Sequence, residues 1–235
     1  MAKRSKRYNQ AAALVDSTKT FALAEAVSLV KSLPAPKFDS TVTLSFALGV
    51  DPRKSDQMVR GSVSLPHGTG KKVRVVVFAT GDAAKAAEAA GADRVGLDDL
   101  IKEVQGGFTD FDVAIATPDA MASVRKIARV LGPRGLMPNP KTGTVTDDTA
   151  KAIDAVKAGR IDYKIDKNGN VSAVVGKGSF DAAKLVENAE ALVESLVKAK
   201  PATAKGTYIK AVTLTSSMNP GVKLEAAVYT AAVSA

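Results

Sequence analysis

The sequence predicts a mixed α/β and α+β protein of two domains. One is a discontinuous α+β domain built from both chain ends, and the other is an inserted three-layer Rossmann-like α/β domain. Three observations carry this expectation. Residues 73–158 alternate apolar strand-like runs with helical stretches, the pattern of a parallel sheet with crossover helices. The segment before residue 68 offers one helix and two strands, too little to bury a sheet face alone, and the segment after 159 offers one helix and about four strands. Charge divides the same way: +5 over residues 1–67, +1 over 68–159 and +3 over 160–235, within a total of +9. The expected split domain is therefore 1–67 with 160–235, and the insert is 68–159.

In order along the chain, a basic start (Lys3, Arg4, Lys6, Arg7) precedes a predicted helix over 21–33. Thr20 is its expected N-cap and Pro34 its stop. Residues 40–48 alternate Val42, Leu44, Phe46 and Leu48 with Thr41, Thr43 and Ser45, the signature of a half-buried strand. A polar loop over 51–56 and a short strand over 60–65 follow. The apolar run 73–79 reads as a strand buried on both faces. A helix over 82–90, a strand over 94–96, a helix over 98–104 and a strand over 111–116 come next. Pro118 is expected to open a helix to 131, and 147–158 is the last helix of the insert. Residues 160–166 and 171–176 read as a hairpin about Lys167-Asn168-Gly169-Asn170. A long amphipathic helix over 181–198 and strands over 208–215 and 222–229 complete the chain.

Composition removes several chemistries. With no Cys there is no disulfide, thiol nucleophile, iron–sulfur cluster or Cys-based zinc site, and one His makes a His-rich metal centre within the chain impossible. No cofactor or metal is expected. No run of about 18 apolar residues exists, and no apolar segment with a cleavage site follows the basic start. A cytoplasmic protein without membrane contact or small-molecule substrate is the expectation. The positive excess favours a polyanion as partner, most simply nucleic acid.

Motifs for catalysis fail on inspection. Gly68-Thr69-Gly70-Lys71-Lys72 lacks the leading Gly of a phosphate loop, where Leu65 stands, and precedes a strand. A turn or hinge fits it better, with His67, Gly68, Gly70 and Gly159 as the hinge residues of the two crossings. Gly176-Lys177-Gly178-Ser179 follows a strand and precedes a helix, so its amides could meet a phosphate or merely connect the two, with Ser179 as a near-cap. Asp82, Asp98, Asp119, Asp147 and Asp181 stand at expected helix starts, where capping explains them. The first strand of the insert is not followed by a dinucleotide-binding glycine pattern. A nucleotide-using enzyme and a nonspecific DNA binder are the alternatives to an RNA-binding protein. Phe38 and Met218, each set in a polar turn, either tuck under their loops or form apolar contacts for a partner. Folded RNA is read by shape, 2′-hydroxyls and stacking, which suits such residues beside small hydroxyl side chains.

Several segments together resemble one family over nearly the whole chain. They are Lys37-Phe38-Asp39, Gly49-Val50-Asp51-Pro52-Arg53-Lys54-Ser55-Asp56-Gln57, Val59-Arg60-Gly61, Leu65-Pro66-His67-Gly68-Thr69-Gly70-Lys71, the run from Val130 to Lys141, and Ala204-Lys205-Gly206. The family is that of the bacterial large-subunit ribosomal protein one, which forms the mobile stalk beside the tRNA exit site. The resemblance implies a split domain with an insert, direct binding of large-subunit ribosomal RNA, contact with exit-site tRNA, and repression of its own operon through messenger RNA. It implies a monomer within the ribosome and no enzymatic activity. For ribosomal RNA it implies Lys37, Phe38, Thr41, Asp166, and Ser217, Met218 and Asn219 at a tip, with Lys164 counted beside them. For tRNA it implies Arg53, Lys54 and Arg60. The family tip usually reads Thr-Thr-Met-Gly, whereas this chain has Ser216-Ser217-Met218-Asn219, and Thr43 and Ala211 also depart from the family's usual acidic residue and Ser.

Overall fold

The computed structural model describes residues 4–204 and 206–231. Met1–Lys3 of the basic start and Lys205 of the Ala204-Lys205-Gly206 motif lie outside the described residues. The order is α1 (Lys6–Leu14), α2 (Leu23–Ser32), β1 (Thr41–Leu48), β2 (Arg60–Ser64), β3 (Val75–Phe78), α3 (Asp82–Ala89), β4 (Arg94–Gly96), α4 (Asp98–Gln105) and β5 (Val113–Ala116). Then come α5 (Met121–Val124), α6 (Ala128–Leu131), α7 (Thr149–Lys157), β6 (Arg160–Lys164), β7 (Asn170–Lys177), α8 (Ala182–Lys198), β8 (Ile209–Ser216), β9 (Val222–Leu224) and α9 (Ala226–Ala231). The chain is thus a mixed α/β protein with several sheets. Contacts group it into two compact units: one runs up to Gly70 and resumes at Ile161, and the other is Lys71–Arg160.

The first unit holds a four-stranded sheet in the order β7-β1-β8-β9 and a separate β2-β6 pair. Strand β1 pairs antiparallel with both β7 and β8, with Leu44 opposite Ala173 and Leu214. Its alternation places Val42, Leu44, Phe46 and Leu48 in the core and leaves Thr41, Thr43, Ser45 and Ala47 half-buried on the other face. Helices α2 and α8 supply Ala26, Val27, Val30, Leu185, Leu192 and Leu196 to that core. At roughly 1.5–3 kcal/mol per buried large apolar side chain, this face is what fixes the register of the strand.

In the second unit β3 is central, parallel to β4 and β5. All four of its residues are buried. Val75 and Val77 pack with Ala87, Ile153 and Val156, while Val76 and Phe78 pack with Leu100, Val104, Val124 and Leu131. Apolar residues in succession are required because both faces of the strand are covered.

Several local expectations are corrected. The helix expected over 21–33 begins at Leu23, and its N-cap is Ala22 with no side-chain bond, not Thr20. Phe21 instead bridges Leu224, its N–H donating to the Lys223 carbonyl. The basic start is helical from Lys6, with the Ser5 hydroxyl accepting from the Tyr8 amide. Pro118 does not open a helix; α5 begins at Met121, and a 3-10 turn over Arg125–Ile127 divides it from α6. The N-cap of α7 is Asp148, whose carboxylate accepts from Lys151 N, rather than Asp147. Asp82 and Asp98 lie in the first turns of their helices and not at the cap, and Asp181 is an N-cap residue without a side-chain bond. Residues 160–177 do not form a paired hairpin: β6 joins β2 and β7 joins β1. The strand expected over 222–229 stops at Leu224 and the chain turns into α9.

Candidate nucleic-acid interface

Strand β8 ends in the turn Ser216-Ser217-Met218-Asn219, closed by Asn219 N donating to Ser216 O at 3.0 Å. A turn of this kind with a positive φ at its third residue normally calls for glycine. Here the third residue is Met218, with φ of 65°, the one non-glycine residue of positive φ among the described residues. Its side chain is 68% exposed. Left-handed backbone costs a non-glycine residue about 1–2 kcal/mol, so the conformation is held by its surroundings. Asn219, a residue type that enters this conformation more readily, does not adopt it; Met218 does.

The tip is tied to the start of β1. Ser217 N donates to Thr41 O at 3.0 Å, and the Ser217 hydroxyl accepts from Thr41 N at 3.1 Å. Lys177 Nζ donates to the Thr41 hydroxyl at 3.0 Å. From helix α1, the Arg7 guanidinium donates to Met218 O at 3.1 Å, Asn219 Oδ1 at 3.4 Å and Pro34 O at 3.2 Å.

Beside the tip lies a groove of about 380 Å³, with Val30, Leu33 and Val42 in its floor and Phe38, Ser179 and Asn219 among its lining. Phe38 is 54% exposed, so it does not tuck under its loop, and Lys37 is exposed next to it. Asp39 accepts from Ser179 N at 3.1 Å and from the Ser179 hydroxyl at 2.9 Å. The amide at the end of Gly176-Lys177-Gly178-Ser179 thus already has a carboxylate partner, so the loop is not an open phosphate cradle, and Ser179 caps nothing. Gly178 is required by close approach: a Cβ there would stand 2.5 Å from the Ser40 hydroxyl.

Asp166 and Lys164 lie elsewhere. The Asp166 carboxylate accepts from Asn168 N and Asn170 N, both at 2.8 Å, closing the turn before β7. These bonds, led by that of Asn170, hold its pKa below the ordinary carboxylate value. Gly169 O accepts from Leu48 N at 2.9 Å, so this turn sits at the far end of β1 from Thr41. The eight residues of β1 separate the two ends by roughly 20 Å. Lys164 and Arg60 are exposed and adjoin the bond from Ile165 N to Val59 O. Arg53 and Lys54 are exposed on a loop shaped by Arg53 N donating to Asp51 Oδ1 and Asp51 N donating to Gln57 Oε1. Lys54, Gln57 and Lys210 line a second groove of about 660 Å³. The residues singled out in the sequence therefore form two groups: Lys37, Phe38, Thr41 and Ser217–Asn219 at one end of β1, and Arg53, Lys54, Arg60, Lys164 and Asp166 at the other.

Of the residues expected to form a hinge, Gly68, Gly70 and Gly159 have φ of 65°, 71° and 101°. The backbone at His67 and Gly68 is held to α8 by fully buried Asn188, which accepts from His67 N at 3.1 Å and donates to Gly68 O at 3.1 Å and Val175 O at 2.8 Å. The His67 ring meets Glu187 at 2.5 Å. Sequence reasoning passed over Asn188 and Arg7. A signal existed for Asn188, a polar residue on the face that carries Leu185 and Leu192. None existed for Arg7, whose partners lie 27 to 212 residues away.

Among the described residues there is no group of three or more His, Cys, Asp or Glu placed to hold a metal, and no helix is long and apolar enough to cross a membrane. Residues 29–220 match the ribosomal protein L1p/L10e family. The chain is 59% identical over 225 residues to the large ribosomal subunit protein uL1 of Saccharopolyspora erythraea, covering 96% of this chain and 94% of that one. It is 57% identical to the protein of the same name from Corynebacterium glutamicum and 58% to that of Nocardia farcinica, each over 96% of this chain and 95% of the other.

Proposed function

The chain belongs to the ribosomal protein L1p/L10e family, and from that premise we propose that it is a non-catalytic, structural protein of the large ribosomal subunit that binds ribosomal RNA directly through the tip of its first unit. One observation carries the reading: exposed Phe38 and Met218 stand at one end of β1 beside Lys37 and the Thr41–Ser217 pair. Apolar groups facing water, next to hydroxyls and lysines, suit RNA that is met by its sugar edges, phosphates and unstacked bases. Charge supports the same choice, since residues 1–67 and 160–235 carry a net +8 and the intervening residues +1.

At the other end of β1, Arg53, Lys54 and Arg60 are the proposed contact for exit-site tRNA, and Lys164 and Asp166 beside them are proposed as further contacts for ribosomal RNA. Repression of its own operon follows if a messenger RNA presents the same shape to the tip. The insert 68–159 serves as a second domain, and His67, Gly68, Gly70 and Gly159 as the crossings about which it moves.

Titration of the whole chain with a ribosomal RNA fragment from the stalk tests the main reading. Tight, salt-sensitive binding that is lost in Met218→Asp is expected, because counterions are released when Lys and Arg meet phosphates. Salt-independent binding, or undiminished binding by the variant, would refute it.

A further inference from the structure

The geometry points to Arg7 as a positioning residue of the RNA site, which holds Met218 in its left-handed conformation and locks the tip to the exit of helix α2. The inference rests on the proposal that the tip binds RNA and adds a residue to that site from the basic start of the chain. Three acceptors converge on one guanidinium: Met218 O at 3.1 Å, Asn219 Oδ1 at 3.4 Å and Pro34 O at 3.2 Å. Pro34 O belongs to the segment that leads into Lys37 and Phe38, so Arg7 spans both halves of the apolar contact set.

The planar fork of Arg suits this task, because two terminal nitrogens can serve acceptors on different segments at once. Helix α1 supplies the rigidity. It is capped by Ser5 and anchored by Ala11, which is fully buried against the core of the first unit. The guanidinium of Arg4, which precedes the helix, lies 4.8 Å from the centre of the ring of Tyr8 in its first turn. The helix therefore presents a fixed base from which Arg7 reaches the tip. A strained, exposed residue with a preformed backbone geometry loses less freedom on binding, which is the general benefit of preorganisation.

Arg7→Lys separates this role from a direct phosphate contact. It keeps the positive charge, but one nitrogen on a flexible stem does not reproduce the two nitrogens that reach the tip and the exit of α2 at once. Three readouts on the whole chain are used: the methyl signal of Met218 in the RNA-free protein, the affinity for the stalk RNA fragment, and the slope of log affinity against log salt. The expected results are a shifted or broadened Met218 signal without RNA, affinity lower by about 5- to 20-fold, and an unchanged salt slope. An unmoved Met218 signal or wild-type affinity overturns the inference. So does a salt slope reduced by about one in Arg7→Gln while Arg7→Lys binds like wild type, since that marks a phosphate contact. Should the wild-type chain fail to bind the RNA, the proposed function falls, while a moved Met218 signal in the free variant still establishes the brace on the tip.

Discussion

The Ser217 hydroxyl stands against both polar groups of the Thr41 backbone, 3.1 Å from the amide that donates to it and 3.3 Å from the carbonyl. This joins the tip to the first residue of β1. Ser217→Ala is expected to cost about 1 kcal/mol of stability, the usual net worth of one hydrogen bond, and to weaken binding of stalk RNA. Urea unfolding and an RNA titration check both, and Ser217→Thr, which keeps the hydroxyl, should recover most of each. Equal loss in the Thr variant would contradict the role of the hydroxyl.

Met218 sets stability against function. With φ of 65° it carries strain that glycine would relieve. Met218→Gly is expected to stabilise the protein by up to about 1 kcal/mol, after allowing for the added freedom of glycine in the unfolded chain. The same change removes an exposed apolar side chain and should weaken RNA binding about tenfold or more. A thermal melt with a parallel titration decides it; a destabilised variant, or one with undiminished affinity, would count against strain held for binding.

Asn188 is fully buried and serves three backbone groups, His67 N, Gly68 O and Val175 O. Asn188→Leu is close in volume but leaves all three without a partner. The expected loss is about 2–4 kcal/mol, read from the urea midpoint. A change within about 0.5 kcal/mol, the ordinary scatter of surface substitutions, would show that water serves these groups instead.

Asp166 gives a pH prediction whose sign is fixed. Its pKa is depressed in the folded chain relative to the ordinary 3.8 by bonds from backbone amides, Asn170 first. A depressed carboxylate lends stability above its unfolded pKa and loses it as pH falls through the folded value. The turn 166–170 should stay closed through pH 5 and open only below 3.8. The amide signals of Asn168 and Asn170 followed against pH should show a common midpoint under that value; one at or above it would remove the bonds from the account.

What the sequence made visible was local. The alternation of Val42, Leu44, Phe46 and Leu48 was enough to define β1 and its buried face, since side-chain direction in a strand follows from period alone. The continuous run at Val75–Phe78 marked a strand covered on both faces for the same reason. Phe38 and Met218 stood out because apolar residues in polar turns have no local partner. What stayed hidden depended on distant partners. Strands β6 and β7 look like a hairpin from their turn, yet each pairs with a strand about a hundred residues or more earlier. Phe21 has helical spacing with its successors but is drawn into a bridge with Leu224. The division of the expected RNA residues between the two ends of β1 follows from the pairing of Leu48 with Gly169, which no motif announces.

As proposed, the Thr41–Met218 end of the first unit recognises folded ribosomal RNA rather than negative charge as such. Competition between the stalk RNA fragment and duplex DNA of equal length, at about 0.15 M salt, separates the two in the wild type and in Met218→Asp. The wild type is expected to keep the RNA against a large excess of DNA, and the variant to lose this preference while still binding both weakly through its remaining basic groups. If DNA displaces the RNA from the wild type at equal concentration, or the variant keeps the full preference, the tip is not the site of recognition.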